Sequence, residues 1–251
     1  MYGWMCRIGL ILPSDNTVME SEFNKIIYRN NIEGISVHAT RIFFEELSVE
    51  NLLNMKKELR RACRELKTAE VDVIVYGCTS GSFVMGKDFD KEIIKEIEME
   101  TGITATTVST ALIEALNLLK VRKIAIGTPY SDTINERARK FFEDNGFEVI
   151  RIIGLNVTRD VDIGKLEPYV AYKLGVKVND KNADCILLLC TDFRTIEILD
   201  ILEKRLKKPV ISSNQAALWH VLHLKDLGIK IKGYGSLLET WRGENNEERN
   251  R

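Results

Sequence analysis

The feature that most constrains this chain is a repeated unit in which an apolar, strand-like run leads to a Cys-Thr pair. Residues 71–75 lead to Cys78-Thr79, and residues 183–189 lead to Cys190-Thr191. Short runs rich in Val, Ile and Leu are typical of buried parallel strands. In open α/β sheets, ligands bind just past the carboxyl ends of such strands. The repeat therefore predicts an internal duplication, with one cysteine at each of two equivalent ligand-binding positions.

Other parts of the chain recur in the same order. Pro13 follows the first predicted strand, and Pro129 follows the strand that opens the second round. Strands that alternate with helices predict parallel sheets. We therefore predict an α/β fold of two Rossmann-like halves related by a pseudo-twofold axis. Each half is expected to have a parallel sheet flanked by helices, with the active site in the cleft between the halves.

The repeat also predicts the domain boundaries. Residues 1–112 together with 213–240 form the predicted first half, and residues 113–212 form the second. Residues 241–251 are polar and charged, which predicts a disordered tail.

Helical spacing of apolar residues predicts helices over Ser48–Leu66 and over Arg194–Leu206. Asn16 or Thr17 is expected to cap the helix that follows the first strand. Glu22 is assigned to the exposed face of that helix, together with Glu20 and Lys25. The predicted core face of the Ser48–Leu66 helix consists of Leu52, Met55, Leu59, Ala62, Cys63 and Leu66.

Composition and charge exclude several classes of function. The net charge is −1 and no basic stripe with interleaved aromatics occurs, so no nucleic-acid partner is expected. No apolar run is as long as a membrane span, so no membrane association is expected. The residues before the first strand are too few for a secretory leader, which predicts a cytoplasmic protein.

The cysteine pattern argues against two common roles. The chain has five cysteines, an odd number, which disfavours a disulfide framework. It has no Cys-x-x-Cys pair, so a structural zinc site is not expected. His220 and His223 lie three residues apart on a predicted helix, and metal binding there stays open as a minor alternative. Cys185 lies inside its strand and is assigned to the core.

Two facing cysteines would allow acid–base and nucleophilic chemistry without a cofactor. A free thiol has a pKa of about 8.5, and the helix N-termini after the Cys-Thr loops are expected to lower it. A thiolate on one side of a small substrate and a thiol on the other supply a nucleophile or base and an acid. The alternative is that both are ordinary buried cysteines. The matched positions of Cys78 and Cys190 favour chemistry.

These residues resemble the aspartate/glutamate racemase superfamily, and within it the branch of maleate cis–trans isomerases and arylmalonate decarboxylases. The resemblance spans about residues 7–240. The stretches that carry it are Pro13-Ser14-Asp15-Asn16-Thr17-Val18-Met19-Glu20, Gly77-Cys78-Thr79-Ser80-Gly81-Ser82, Thr128-Pro129-Tyr130, Cys190-Thr191-Asp192-Phe193-Arg194-Thr195 and Ser212-Ser213-Asn214-Gln215-Ala216.

The resemblance implies a cofactor-independent isomerase that acts on a small carboxylate. Cys78 would be the nucleophile and Cys190 the proton donor. A homodimer is also expected from the resemblance. The residues implied to bind substrate are Asn16, Thr79, Ser80, Tyr130, Asp160 and Thr191.

The chain departs from the family pattern at two aspartates. The family commonly has Asn where this chain has Asp192. A further substrate-binding Asn is expected within residues 154–164, where Asp160 is the best match and Asn156 is close by. A carboxylate there favours a substrate with an amide or ammonium group.

The sequence therefore leaves four interpretations of the site open. The leading one is an isomerase of the maleate cis–trans type. The others are a two-base amino-acid or hydantoin racemase, an enzyme like arylmalonate decarboxylase, and a cytosolic sensor that binds carboxylates. The decarboxylases lack a cysteine at the position of Cys78, which makes that alternative less favoured.

Overall fold

Two parallel sheets of identical topology organise the chain. A computed structural model describes residues 2–44, 46 and 48–241. Apart from Trp241, the predicted tail lies outside these residues. The strands of the first sheet are β1 (Cys6–Pro13), β2 (Ile35–Ile42), β3 (Val73–Tyr76) and β4 (Ala105–Thr107), and those of the second are β5 (Lys123–Thr128), β6 (Glu148–Gly154), β7 (Cys185–Leu188) and β8 (Val210–Ser212).

Helices connect successive strands, as parallel pairing requires. Their bounds are α1 (Met19–Arg29), α2 (Val49–Asn54), α3 (Leu59–Thr68), α4 (Thr79–Phe83), α5 (Phe89–Thr101), α6 (Val108–Leu118), α7 (Asp132–Asp144), α8 (Asp160–Gly164), α9 (Pro168–Val178), α10 (Leu199–Leu206) and α11 (Ser213–Leu224). Within the described ranges, no helix is long and apolar enough to cross a membrane.

The strand order explains where a ligand can bind. It is β2-β1-β3-β4 in the first sheet and β6-β5-β7-β8 in the second, and all pairs are parallel. The chain leaves the two central strands of each sheet in opposite directions, which opens a crevice at their carboxyl ends. The predicted α/β fold with two similar parallel sheets is confirmed.

The predicted core face after residue 48 is confirmed, although the helix there is not continuous. Leu52, Met55, Leu59, Ala62, Cys63 and Leu66 are all buried. The chain forms α2, then a 3-10 turn over Met55–Glu58, then α3. Ser48 caps α2 by accepting a hydrogen bond from the Asn51 N–H at 3.2 Å.

The predicted helix from Arg194 is wrong over its first five residues, because α10 begins only at Leu199. The Glu22 carboxylate accepts hydrogen bonds from the N–H groups of Thr195 at 2.9 Å and Ile196 at 3.3 Å. These bonds hold the segment as a turn. The assignment of Glu22 to the exposed face of α1 is also wrong, because its side chain is only 4% exposed.

Helix α11 links the two halves. It starts directly after β8 with a capping box between Ser212 and Gln215, and it packs against α6 of the first sheet's half. The proposed boundaries, with residues 213–240 returning to the first half, stay a prediction.

Candidate active site

Four candidate residues lie at the two equivalent crevices. Asn16 follows β1 and Cys78 follows β3, which are the central strands of the first sheet. Tyr130 follows β5 and Cys190 follows β7, which are the central strands of the second. The exposed fractions are 1% for Asn16 and Tyr130 and 5% for the two cysteines. The duplicated topology therefore places two matched pairs of polar side chains in a buried setting.

Cys78 lies at the start of α4 with hydrogen-bond donors around its sulfur. The Gly81 N–H donates to Sγ at 3.3 Å, and the Ser80 hydroxyl lies 3.8 Å from it. A Cβ added at Gly81 would meet the sulfur at 2.9 Å, so only glycine leaves room for this approach.

Burial sets the protonation state of Cys78. Burial, followed by the charge of Asp160, raises the pKa of the thiol to about 12, and the Gly81 and Ser80 hydrogen bonds only partly offset these effects. The expectation of a lowered thiol pKa is therefore wrong. The hydrogen-bond donors near the helix terminus lower the pKa of Cys78 by less than the loss of solvent raises it.

Cys190 has an unusual backbone conformation. Its φ of 106° lies in a region that residues other than glycine rarely occupy, at a cost of about 1–3 kcal/mol. Its N–H donates to the Ser213 hydroxyl at 3.1 Å, and its sulfur accepts a hydrogen bond from the Asp192 N–H at 3.4 Å. Strain of this kind persists only when the surroundings impose it, and it is concentrated at functional sites.

The two thiols belong to one site because they share neighbours. The Cys190 thiol lies 3.9 Å from Asp160 Oδ1, and the charge of Asp160 also raises the pKa of Cys78. Tyr130 interacts electrostatically with both thiols, and its hydroxyl hydrogen bond to Cys190 lowers the pKa of that cysteine. Burial nevertheless keeps the pKa of Cys190 well above its usual value.

Hydroxyl and amide side chains tie the two Cys-Thr loops together. The Thr191 hydroxyl donates to the carbonyl of Gly77 at 3.1 Å and accepts from Asn16 Nδ2 at 3.0 Å. The Thr79 hydroxyl donates to that of Ser213 at 2.9 Å. The structure thus brings the predicted residues together, but it uses the hydroxyls of both threonines to hold the loops.

The N-cap position of α1 is Val18 and not the predicted Asn16 or Thr17, although the side chain of Asn16 satisfies N–H groups there. Its Oδ1 accepts hydrogen bonds from the N–H groups of Val18 at 3.2 Å and Met19 at 3.0 Å, at the start of α1. One amide N–H goes to Thr191, so the second is available to a ligand.

Of the two candidates within residues 154–164, the structure places Asp160 in the site and Asn156 outside it. Asp160 begins α8, is 5% exposed and faces Cys190, whereas Asn156 lies in an exposed loop. Burial raises the pKa of Asp160 well above its usual value, and the charges of Asp15 and Asp192 raise it further. Burial and these charges therefore favour the protonated form of this carboxyl.

Asp192 lies behind the site and joins the halves. Its Oδ1 accepts hydrogen bonds from the N–H groups of Thr17 at 2.6 Å and Val18 at 3.1 Å. It is fully buried, and burial raises its pKa to about 7. A Cβ at Gly164 would lie 2.6 Å from Asp192 Oδ2, which shows how closely α8 covers this carboxyl.

Sequence reasoning missed a buried pair that supports the Cys190 loop. Asn214 Nδ2 donates to Glu22 Oε2 at 2.7 Å and to the carbonyl of Thr191 at 3.0 Å. The stretch Ser212-Ser213-Asn214-Gln215 carried the family resemblance, but only the fold reveals that Asn214 meets Glu22.

The histidines that left metal binding open have other partners. His220 Nδ1 is 2.9 Å from the Thr106 hydroxyl, and His223 Nδ1 is 2.8 Å from the carbonyl of Trp219. Among the described residues, no group of three or more His, Cys, Asp or Glu side chains is arranged to hold a metal ion.

Two parallel sheets with a buried thiol at each crevice define a two-lobed α/β protein with a cysteine-based site. The arylmalonate decarboxylase family matches residues 8–238, so the chain belongs to that family.

Two curated relatives extend this finding. The chain is 27% identical over 241 residues to a maleate isomerase of Pseudomonas putida, covering 92% of this chain and 96% of the relative. It is 30% identical over 179 residues to the arylmalonate decarboxylase of Bordetella bronchiseptica, covering 70% and 75% of the two chains.

A solved structure has the same fold. It is a cysteine-to-serine mutant of the Nocardia farcinica maleate cis–trans isomerase with a covalently bound succinylcysteine intermediate. The TM-score is 0.90 at 23% identity, over 93% of this chain and 98% of that chain.

Proposed function

We propose that this protein is a cofactor-independent cis–trans isomerase of the maleate isomerase type, acting on a small unsaturated carboxylate. The observation that carries the proposal is the pair of thiols at equivalent crevices, both of which interact electrostatically with Asp160 and Tyr130. The curated maleate isomerase from Pseudomonas putida supports it over nearly the whole chain.

Cys78 is the proposed nucleophile. Its thiolate sulfur forms a bond to one carbon of the double bond, and the π electrons move to the neighbouring carbon. The former double bond is now a single bond, which removes the barrier to rotation. Burial keeps the free thiol protonated, so its proton must pass to an acceptor before addition. The substrate's own carboxylate is the proposed acceptor, and the proton returns to the sulfur when Cys78 leaves.

Cys190 is the proposed proton donor. Its S–H protonates the new carbanion, which gives a saturated, cysteine-bound intermediate. After rotation Cys190 takes a proton back, the double bond re-forms in the trans geometry, and the sulfur of Cys78 leaves. The succinylcysteine in the Nocardia farcinica isomerase is the intermediate that this scheme forms with maleate. Atoms and electrons balance without a redox step.

The remaining polar groups divide between binding and positioning. The Ser80 hydroxyl, the Tyr130 hydroxyl and the second amide N–H of Asn16 are the proposed donors to a substrate carboxylate. Thr79 and Thr191 hold the two Cys-Thr loops in position, since their hydroxyls donate hydrogen bonds to the Ser213 hydroxyl and the Gly77 carbonyl. Donors fixed in a dry site stabilise charge that develops during addition.

Intact-protein mass spectrometry of Cys190→Ala mixed with substrate tests this scheme. We expect an adduct with the mass of the substrate, located on the peptide that contains Cys78, because water can still protonate the carbanion whereas the base that removes this proton is missing. Cys185→Ala is the matched control and is expected to turn over with no accumulated adduct. An adduct on any residue other than Cys78 would refute the assignment of the nucleophile.

Three further expectations accompany the proposal. The protein is expected to be a homodimer and to be cytoplasmic, and residues 213–240 are expected to fold with the first half. Light scattering of the purified protein measures the first of these.

A further inference from the structure

The candidate site has an uneven distribution of donors and acceptors. Its donors are the hydroxyl of Ser80, 3.8 Å from the Cys78 sulfur, the second amide N–H of Asn16, and the hydroxyl of Tyr130. Beside Cys190 it also holds the carboxyl of Asp160, whose Oδ1 is 3.9 Å from Sγ. A symmetric dicarboxylate would therefore meet a favourable group at one end and another carboxyl at the other.

The groups that surround Asp160 make a carboxylate bound there costly. The charges acting on it come from two more carboxyls, Asp15 and Asp192, and the nearby titratable groups are Cys190, Cys78 and Tyr130. Burial raises the pKa of Asp15 to about 6, and Arg41 only partly offsets this because it uses its guanidinium on the carbonyl of Asn16 and on Glu20. Placing a carboxylate against buried carboxyls loses its hydration without supplying a compensating charge.

A primary carboxamide complements Asp160 in its neutral form. The carbonyl of a protonated carboxyl accepts an amide N–H, and its O–H donates to the amide oxygen. Two hydrogen bonds run in opposite directions, and no net charge is buried. Burial at 5% exposure favours this neutral form.

The chemistry of addition favours the same orientation. If the sulfur of Cys78 adds to the carbon β to the amide carbonyl, the electron pair is delocalised onto the amide oxygen. That oxygen then receives the Asp160 O–H, which stabilises the developing charge. A carboxylate in the same place already carries a full negative charge and accepts a second one less readily.

We infer that the preferred substrate carries one carboxylate and one primary carboxamide across a cis double bond, with the amide bound against Asp160. The half-amide of maleic acid is the simplest such compound, and its trans half-amide is the product. This inference rests on the proposed isomerase function and specifies the substrate class of the same site.

Proton NMR on the purified protein compares kcat/KM for the half-amide with that for maleate. We expect a preference for the half-amide of about 10-fold or more, because a site built for one hydrogen-bond pattern discriminates against its charged analogue. In Asp160→Asn the amide N–H now suits a carboxylate, and the preference is expected to fall about 10-fold or more. Asp162→Asn is the matched control, since Asp162 lies on the same helix and pairs with Lys165 at 2.7 Å. It is expected to leave the preference unchanged.

The outcomes separate the two proposals. Equal or better turnover of maleate by the unaltered protein would overturn the inference and leave the isomerase function standing. Failure to isomerise either compound would overturn both. Even if Asp160→Asn does not fold, the comparison of kcat/KM for the half-amide and for maleate in the unaltered protein tests the inferred substrate.

Discussion

Replacing Glu22 by alanine probes the contact that holds the Cys190 loop in place. Three donors lose their acceptor: the N–H groups of Thr195 and Ile196, and the side-chain amide of Asn214. Each buried donor without a partner costs about 1–3 kcal/mol, and water filling the space recovers part of this. We therefore expect Glu22→Ala to lower the free energy of unfolding by about 3–5 kcal/mol.

Glu22→Gln separates shape from hydrogen bonding. The glutamine oxygen still accepts from the two backbone N–H groups, but its amide faces the amide of Asn214, so the expected loss is about 1–2 kcal/mol. Glu20→Ala is the matched control on the same helix. Its ion pair with Arg41 at 3.0 Å is partly exposed, and we expect a change of at most about 1 kcal/mol.

Urea unfolding followed by tryptophan fluorescence and circular dichroism measures these differences. Turnover supplies a second readout, because Asn214 also donates to the carbonyl of Thr191. A displaced Cys190 loop is expected to lower kcat by about 10-fold or more in Glu22→Ala. The reasoning is refuted if Glu22→Ala is no more destabilising than Glu20→Ala.

Three further predictions concern the site. Burial raises the folded-state pKa of Asp192 to about 7, so the stability that its protonated form contributes is lost as the pH rises from about 4 to about 7. The Asp192→Asn variant does not have this loss, so its free energy of unfolding relative to the unaltered protein should increase by about 2–3 kcal/mol between pH 5 and 8. Urea unfolding measures this difference, and a difference that stays constant with pH would contradict the prediction. Gly81→Ala places a Cβ 2.9 Å from the Cys78 sulfur and should lower kcat by about 10-fold or more while changing the melting temperature little; unchanged kcat would argue against the tight fit. Since burial raises the pKa of Cys78 to about 12, its alkylation by iodoacetamide should rise about 10-fold per pH unit from pH 7 to 9, and a plateau near neutrality would show a thiolate already present.

The repeated Cys-Thr pattern was sufficient to predict the fold and the positions of both thiols. A buried strand and the residue after it are read from local sequence, and the parallel topology then places that residue at a crevice. The crevice positions of Cys78 and Cys190 follow from this reasoning, whereas Asn16 and Tyr130 were identified through the family resemblance.

Contacts between distant segments could not be read from the sequence. A charged residue such as Glu22 is expected on the exposed face of a helix, yet it accepts hydrogen bonds from residues 195 and 196. The same contact delays the start of α10 to Leu199. The pKa of Cys78 was predicted with the wrong sign, because burial depends on the packing of both halves and not on the local loop.

Proton NMR of the purified protein with maleate and with its half-amide, in deuterated buffer without any cofactor, tests the central claim most directly. The account predicts that the trans product appears with the unaltered protein and with Cys185→Ala, is absent with Cys78→Ala, and is strongly reduced with Cys190→Ala. Full turnover by a folded Cys78→Ala variant would contradict the account, since no other group in the site is assigned to form the covalent bond.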